Sequence, residues 1–361
     1  MIKRSRSFLA TLALVLIVVL LVTSTIGTAN ISAAMTAKII YNSLIGTLQD
    51  FLHLLPPGLE DKFLFLESLK PEKVWTEGQE RIIMDYRFPR VILAALVGAA
   101  LSTAGCAMQG LLKNPMADPY IIGMSSGAAL GASIALFFNI SVHIFAFAFS
   151  LVSIFLVYNI SKVGRKIPTD TLLLSGIAVG SFLSAITSFM IYINHSRDHV
   201  IFWMMGGFWN PSWSKVTVPA VVILFGILML YRHSWSLNVM LLGEEQAQYL
   251  GVDIEWVKRY ILVLSALITG VAVSVSGIIG FVGLIIPHIM RILVGPDHRI
   301  LFPASTLLGA IFLVISDTIA RTILNHVIME PIELPVGIIT ALFGAPFFIY
   351  LLRKRRQTVY A

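Results

Sequence analysis

The sequence has 361 residues, of which 57% are hydrophobic and only 12% charged. Its mean hydropathy of +0.86 excludes a soluble domain, and several runs exceed the ~18 apolar residues that mark a membrane-crossing helix. The net charge of +7 needs no nucleic acid to explain it, because the basic clusters flank apolar runs, and the single cysteine, Cys106, excludes a disulfide framework. The fold class is therefore all-α, a polytopic protein surrounded by the lipid bilayer.

Lys3, Arg4 and Arg6 precede an apolar run from residue 8 to about 29. A signal-peptide core is only ~7–15 residues long, so the run is expected to be an uncleaved first span with a cytoplasmic N-terminus. Residues 30–87 are mixed in charge, contain Pro56-Pro57-Gly58, and form an extracytoplasmic segment with short surface helices. The span 91–112 returns inward, and Lys113-Asn114-Pro115 makes a tight turn because proline forces its predecessor out of the helical region. Spans follow over about 117–138, 142–161, 171–193 and 216–231. Lys162, Arg165 and Lys166 mark an inner turn, and residues 195–214 an outer loop. Beyond residue 241 come spans over about 257–277, a short glycine-rich one ending near Leu293, then 304–324 and 334–352. Arg353, Lys354, Arg355 and Arg356 close the chain on the inside. The expectation is one transmembrane domain over 1–361 with about ten helices and both termini cytoplasmic. Cleavage of the first span would leave nine, and the charge rule is compatible with either count.

A polar island, LLGEEQAQYLGVDIEWVKR, occupies residues 241–259. Residues 244–250 read as one short helix stopped by Gly251, which tolerates a left-handed cap. Asp253 is a good N-cap for a second short helix that runs through Trp256 into the next apolar segment, and Lys258 and Arg259 mark a cytoplasmic surface. The island is either the grip of a second protein or a solvated loop. An inverted echo overlays residues 98–102 on 270–274, Gly105 on Gly277 and Pro115 on Pro287. Transporters often carry such inverted repeats, although close helix packing also selects small residues.

Three function classes compete: a permease driven by a partner, an ion-coupled secondary transporter, and an intramembrane hydrolase. Secondary carriers keep ionisable residues at mid-membrane, whereas Asp317 lies toward the outer end of its span, one helical turn from Arg321. Gly123-Met124-Ser125-Ser126-Gly127 fits a nucleophile elbow, but no strand precedes it. His195 and His199 stand four apart without a third ligand, so no metal or cofactor is expected. No Gly-Lys dipeptide occurs, so the chain has no Walker A loop and energy must come from elsewhere.

Arg87-Phe88-Pro89-Arg90 opens a span that continues as VGAALSTAGCAMQGLLKNPMADPYIIGMSSGA. Later come LLLSGIAVG, WMMGGFW, LGEEQAQYLGV, GIIGFVGLIIPHIMR, DHR, SDTIAR and ELPVGIITALFGAPFFIYLL. In this order, from about residue 87 to 352, they resemble the membrane subunit of type II ABC importers, the FecCD family, which carries ferric siderophores, cobalamin and haem. Residues 31 to about 80 are not covered by these motifs. The resemblance implies a permease in a prokaryotic inner membrane, not itself an enzyme. It implies a homodimer with two cytoplasmic ATP-binding subunits and an extracytoplasmic substrate-binding protein. Ferric siderophore is the first cargo expected, on a path lined by small, apolar side chains. Gly243, Glu244, Glu245, Leu250 and Gly251 would belong to the coupling helices that enter a cleft on the ATPase. Arg87, Arg90 and Arg321 would pair with glutamates of the binding protein, because guanidinium forks hold carboxylates with two hydrogen bonds. Snorkelling anchors, or an Asp317–Arg321 pair, are the plainer readings of the same residues. Asn114, Thr169 and Asp170 match positions that narrow the inner end of the path. Asp170 stands where a small hydroxyl residue is expected, and helix capping accounts for it equally.

Overall fold

Apolar runs in lipid must satisfy their own backbone groups, and helices do so within one segment. The computed structural model describes residues 2–27, 29, 31–52, 70–164, 166–193, 197–327 and 332–359. Pro56-Pro57-Gly58, Arg165 and His195 lie outside the described residues. Among the described residues, regular structure is helical apart from an isolated bridge between Val163 and Lys166.

Helix α1 (Ile2–Thr25) is followed by α2 (Ala33–Leu52) and the short α3 (Glu77–Arg81). Thr76 opens α3 with a capping box: its hydroxyl accepts the Gln79 amide, and the Gln79 side chain accepts the Thr76 amide. A π-helical turn, Ile82–Arg87, then joins α3 to α4 (Phe88–Leu111) without a break. Pro89 has no amide to donate, and a wider turn before it tolerates the lost bond. The helix therefore begins about ten residues before the point where the arginine motif was expected to open it. Trp75, Ile83, Ile31, Ile39 and Ile40 form a separate small core that fixes α2 to this extension.

Next come a 3₁₀ turn at Pro119–Ile122, α5 (Met124–Phe138), α6 (Val142–Ser161), α7 (Thr169–Ile193), α8 (Arg197–Met204) and α9 (Trp213–Arg232). Then follow α10 (Ser234–Met240), α11 (Glu244–Tyr249), α12 (Ile254–Ser276), α13 (Val282–Val294), α14 (His298–Val327) and α15 (Val336–Val359). All ten apolar stretches of the sequence are helical, but they divide by length. Among the described residues seven helices are long and apolar enough to cross a membrane, while α5, α13 and the apolar part of α15 are shorter.

Helices α4 and α12, the two stretches paired by the inverted echo, are the most buried of the long helices and pack against each other. Close approach explains their small residues. A Cβ on Gly98 would strike the Gly309 carbonyl of α14, and one on Gly105 would strike the Gly283 carbonyl of α13.

Candidate docking and coupling sites

Two clusters of polar side chains lie at opposite ends of the bundle. Between His298 and Arg321, α14 runs roughly 35 Å at 1.5 Å per residue, and it contributes to both.

At one end the three predicted arginines come together. Arg87 and Arg90 lie three apart on one face of the π–α4 helix, and Arg321 faces them from α14. Arg90 Nε donates to both oxygens of Asp317, at 3.2 and 3.0 Å, and Nη2 lies 2.9 Å from Oδ1. Its Nη1 donates to Glu333 at 2.7 Å. Arg321 approaches Asp317 only to 3.9 Å and spends Nη2 on the Thr23 carbonyl at 2.8 Å. Arg87 donates to the carbonyls of Thr25 (3.1 Å) and Ala29 (2.6 Å). The last carbonyls of a helix lack partners and carry the negative end of its dipole, so two guanidinium groups cap α1. Gly27 makes room for them, since a Cβ there would lie 2.5 Å from Arg87 Nη2.

Arg87 and Arg90 therefore do not mark the helix start that the span opening at Arg87 implied. The helix continues beyond them, and Arg87 is only 6% exposed. Asp317 pairs chiefly with Arg90, not with Arg321 one turn away. The guanidinium groups nevertheless border a cavity of about 460 Å³, lined also by Tyr86, Trp209 and Glu333. Three guanidinium groups meet Asp317 and Glu333, so the cluster keeps one unit of positive charge.

At the other end α11 projects from the bundle. Only Ala247 of its residues is buried, whereas Tyr249 is 91% and Leu242 67% exposed. Gly251 has φ +82°, its amide donates to Gln248, and the Val252 amide donates to Ala247. This pair of bonds is a Schellman motif, which ends α11 at a fixed angle. Asp253 accepts the Trp256 amide as N-cap, and the second helix of the island runs on into the next apolar span as expected. Its residues are the first turn of α12, because nothing after Trp256 interrupts the apolar periodicity. On the other side α10 was not anticipated. It is tied to α14 by Asn238, which donates to Asp297 at 2.6 Å and accepts the His298 amide at 2.8 Å. His233, at the α9–α10 junction, lies tilted against Tyr260 and Trp256, with ring centroids 4.6 and 5.5 Å away. Burial, then the Arg232 charge, holds its imidazole below the usual value.

Of the predicted gate residues, Thr169 borders a closed recess of about 10 Å³ with Leu111, Leu112, Ile167, Lys258 and Leu262. Neither Asn114 nor Asp170 lines it. Asn114 accepts the Met116 amide within its own turn, and Asp170 is exposed in the first turn of α7. Lys258 was read only as a marker of the inner surface, yet it is 7% exposed and lies 2.9 Å from Glu244. A groove of about 610 Å³ runs between α5 and α7, bordered by Gly123, Gly176 and Gly180 and by Ser126, Ser184 and Ser188. Hydroxyl groups and the apolar Ile121, Ile177 and Ala185 join the glycines there. Ser125 and Ser126 thus border grooves in which no histidine is among the lining residues. Among the described residues no group of three His, Cys, Asp or Glu side chains could hold a metal ion.

The sequence profile of the FecCD transport family matches residues 12–354. The match takes in the first span and the segment 31–80, which the motifs left out. The cobalamin import system permease protein BtuC of Halobacterium salinarum is 41% identical over 366 residues, covering 98% of this chain and 97% of its own. The hemin transport system permease protein HmuU of Yersinia pestis is 38% identical, covering 80% of this chain and 90% of its own. A solved structure described as an inward-facing, metal-chelate type ABC transporter superposes with a TM-score of 0.77 at 30% identity, covering 97% of this chain and 99% of the other. The chain belongs to the FecCD transport family.

Proposed function

We propose that this chain is the membrane permease of an ATP-driven importer of metal chelates. The exposed α11 turn carries the reading. A helix that leaves Tyr249, Leu250 and Leu242 in solvent, held by a Schellman motif and an N-cap, is built to enter a cleft on another protein. In this reading the turn is cytoplasmic and contacts one of two ATP-binding subunits beneath a permease homodimer. The chain itself hydrolyses nothing. The arginine end is extracytoplasmic and receives the substrate-binding protein. Its residual positive charge suits an acidic partner, and an incoming carboxylate can replace half-exposed Glu333 on Arg90. The groove between α5 and α7 is the candidate path.

Among cargoes, cobalamin is taken ahead of the ferric siderophore expected from the sequence. The cobalamin permease relative aligns along 98% of the chain, whereas the hemin permease relative covers 80%. Ion-coupled secondary transport is the weaker reading, because its best acid, Asp317, is committed to Arg90. The experiment is a native mass measurement on the permease co-expressed with an ATP-binding subunit and a substrate-binding protein of this importer class. Two permeases, two ATPases and one binding protein are expected. A lone permease that fails to retain any ATPase would overturn the reading.

A further inference from the structure

We infer that Lys258 is a positioning residue that locks the α11 turn to the 162–170 turn, so that the two move as one body. The inference rests on α11 being the surface an ATPase moves. Lys258 lies in the second turn of α12, and its ammonium is almost wholly withdrawn from water. A desolvated ammonium must be paired, and breaking such a pair is costly. Its Nζ lies 2.9 Å from Glu244 Oε1 on α11 and 3.5 Å from Glu255 Oε1 on α12. Glu255 uses its second oxygen elsewhere: Oε2 accepts the backbone amide of Ile167 at 3.0 Å.

Ile167 is 3% exposed and begins the lead into α7. The next carbonyl, that of Pro168, accepts the Leu172 amide at 3.0 Å and the Thr171 hydroxyl at 2.9 Å. The Thr171 hydroxyl also reaches the Ser161 carbonyl at the end of α6, at 3.1 Å. A continuous run of charged and backbone bonds therefore leads from Glu244 through Lys258 and Glu255 to both ends of the 162–170 turn. The stem of Lys258 adds a second connection, because it walls the recess that Thr169 and the end of α4 close. Neither carboxylate alone could join the two turns. Glu244 bonds the Lys258 ammonium, and Glu255 bonds both that ammonium and the Ile167 amide, so the ammonium joins the two carboxylates. A shift of α11 by one or two ångströms must then either pull half-exposed Glu244 off the buried Lys258 ammonium or carry the turn with it.

The test uses the full chain in nanodiscs, with spin labels at Gln248→Cys and Lys166→Cys. The native Cys106 is buried and escapes labelling. Diluted with unlabelled chain, so that a dimer holds at most one labelled protomer, the unsubstituted background should give one narrow distance distribution. Lys258→Met and Glu255→Gln should each broaden it, and Lys258→Arg should restore it. With the ATPase present, both broadening variants should consume about threefold or more ATP per cargo molecule moved. Unchanged widths and unchanged ATP per cargo in Lys258→Met and Glu255→Gln would overturn the inference. If Lys258→Met does not fold, Glu255→Gln alone decides it. The distance measurement needs neither cargo nor ATPase, so its outcome is separate from that of the transport reading.

Discussion

Arg90→Met gives the sharpest test of the arginine cluster, because the structure assigns its cost before any partner is considered. The substitution keeps most of the side-chain volume and removes the guanidinium. Asp317, with its side chain 2% exposed, then loses three contacts between 2.9 and 3.2 Å and keeps only Arg321 at 3.9 Å. Leaving a buried charge unpaired costs about 3–5 kcal/mol, and the residual attraction to Arg321 places this case near the lower end, about 3. Glu333, half exposed, simply returns to water. A second change, Asp317→Leu, removes the stranded charge. Replacing a whole buried pair by apolar groups is often neutral, but Asp317→Leu also takes the carboxylate from buried Arg321, so the double variant should regain only part of the loss. Thermal unfolding in nanodiscs is the assay: the single variant should melt clearly below wild type and the double variant between the two. The double variant should still fail to capture the binding protein, which separates docking from folding. Equal melting of Arg90→Met and wild type, or a double variant no more stable than the single, would refute the reasoning. Charge reversal to glutamate is a poorer probe, since it would put a third carboxylate beside Asp317 and Glu333.

Tyr249→Ala combined with Leu250→Asp should abolish co-purification of the ATPase while the helical content by circular dichroism stays at the wild-type value. Retention of the ATPase would remove α11 from the interface. Helix α1 should persist in the mature protein, because Arg87 and Arg321 spend donors on its terminal carbonyls. Intact mass of the purified chain should include residues 1–27, and a product starting near residue 30 would contradict it. The stability of the α9–α10 junction should depend on pH through His233. Its folded pKa is depressed, so its contribution is present above the unfolded value, ~6.5, and is lost as pH falls through the lower folded value. Protection factors of the amides at 233–240, with the intrinsic pH dependence of exchange divided out, should fall on acidification, and His233→Gln should flatten that dependence.

The apolar runs alone place most of the helices, because in lipid a run of sufficient length has no other stable conformation. Local chemistry was equally legible where it is self-contained: Gly251 and Asp253 cap as their residue types require. What the sequence hid is long-range. Arg90 reads as a surface arginine until α14 brings Asp317 to it across 227 positions of chain. Lys258 reads as a boundary charge until α11 folds back over it with Glu244. The helix start at Glu77 was missed for a different reason. Pro89 normally marks a beginning, and only the π turn before it lets the helix run through. The signal available was Thr76 followed by Gln79, a capping box in plain view.

ATP-dependent uptake into proteoliposomes tests the central claim most directly. The permease, its ATPase and the binding protein would be reconstituted with ATP inside and labelled cobalamin, ferric siderophore or haem outside. The account predicts accumulation of one metal chelate that requires ATP and the binding protein together and survives collapse of the proton gradient. Uptake that proceeds without ATP and follows an imposed ion gradient would contradict it.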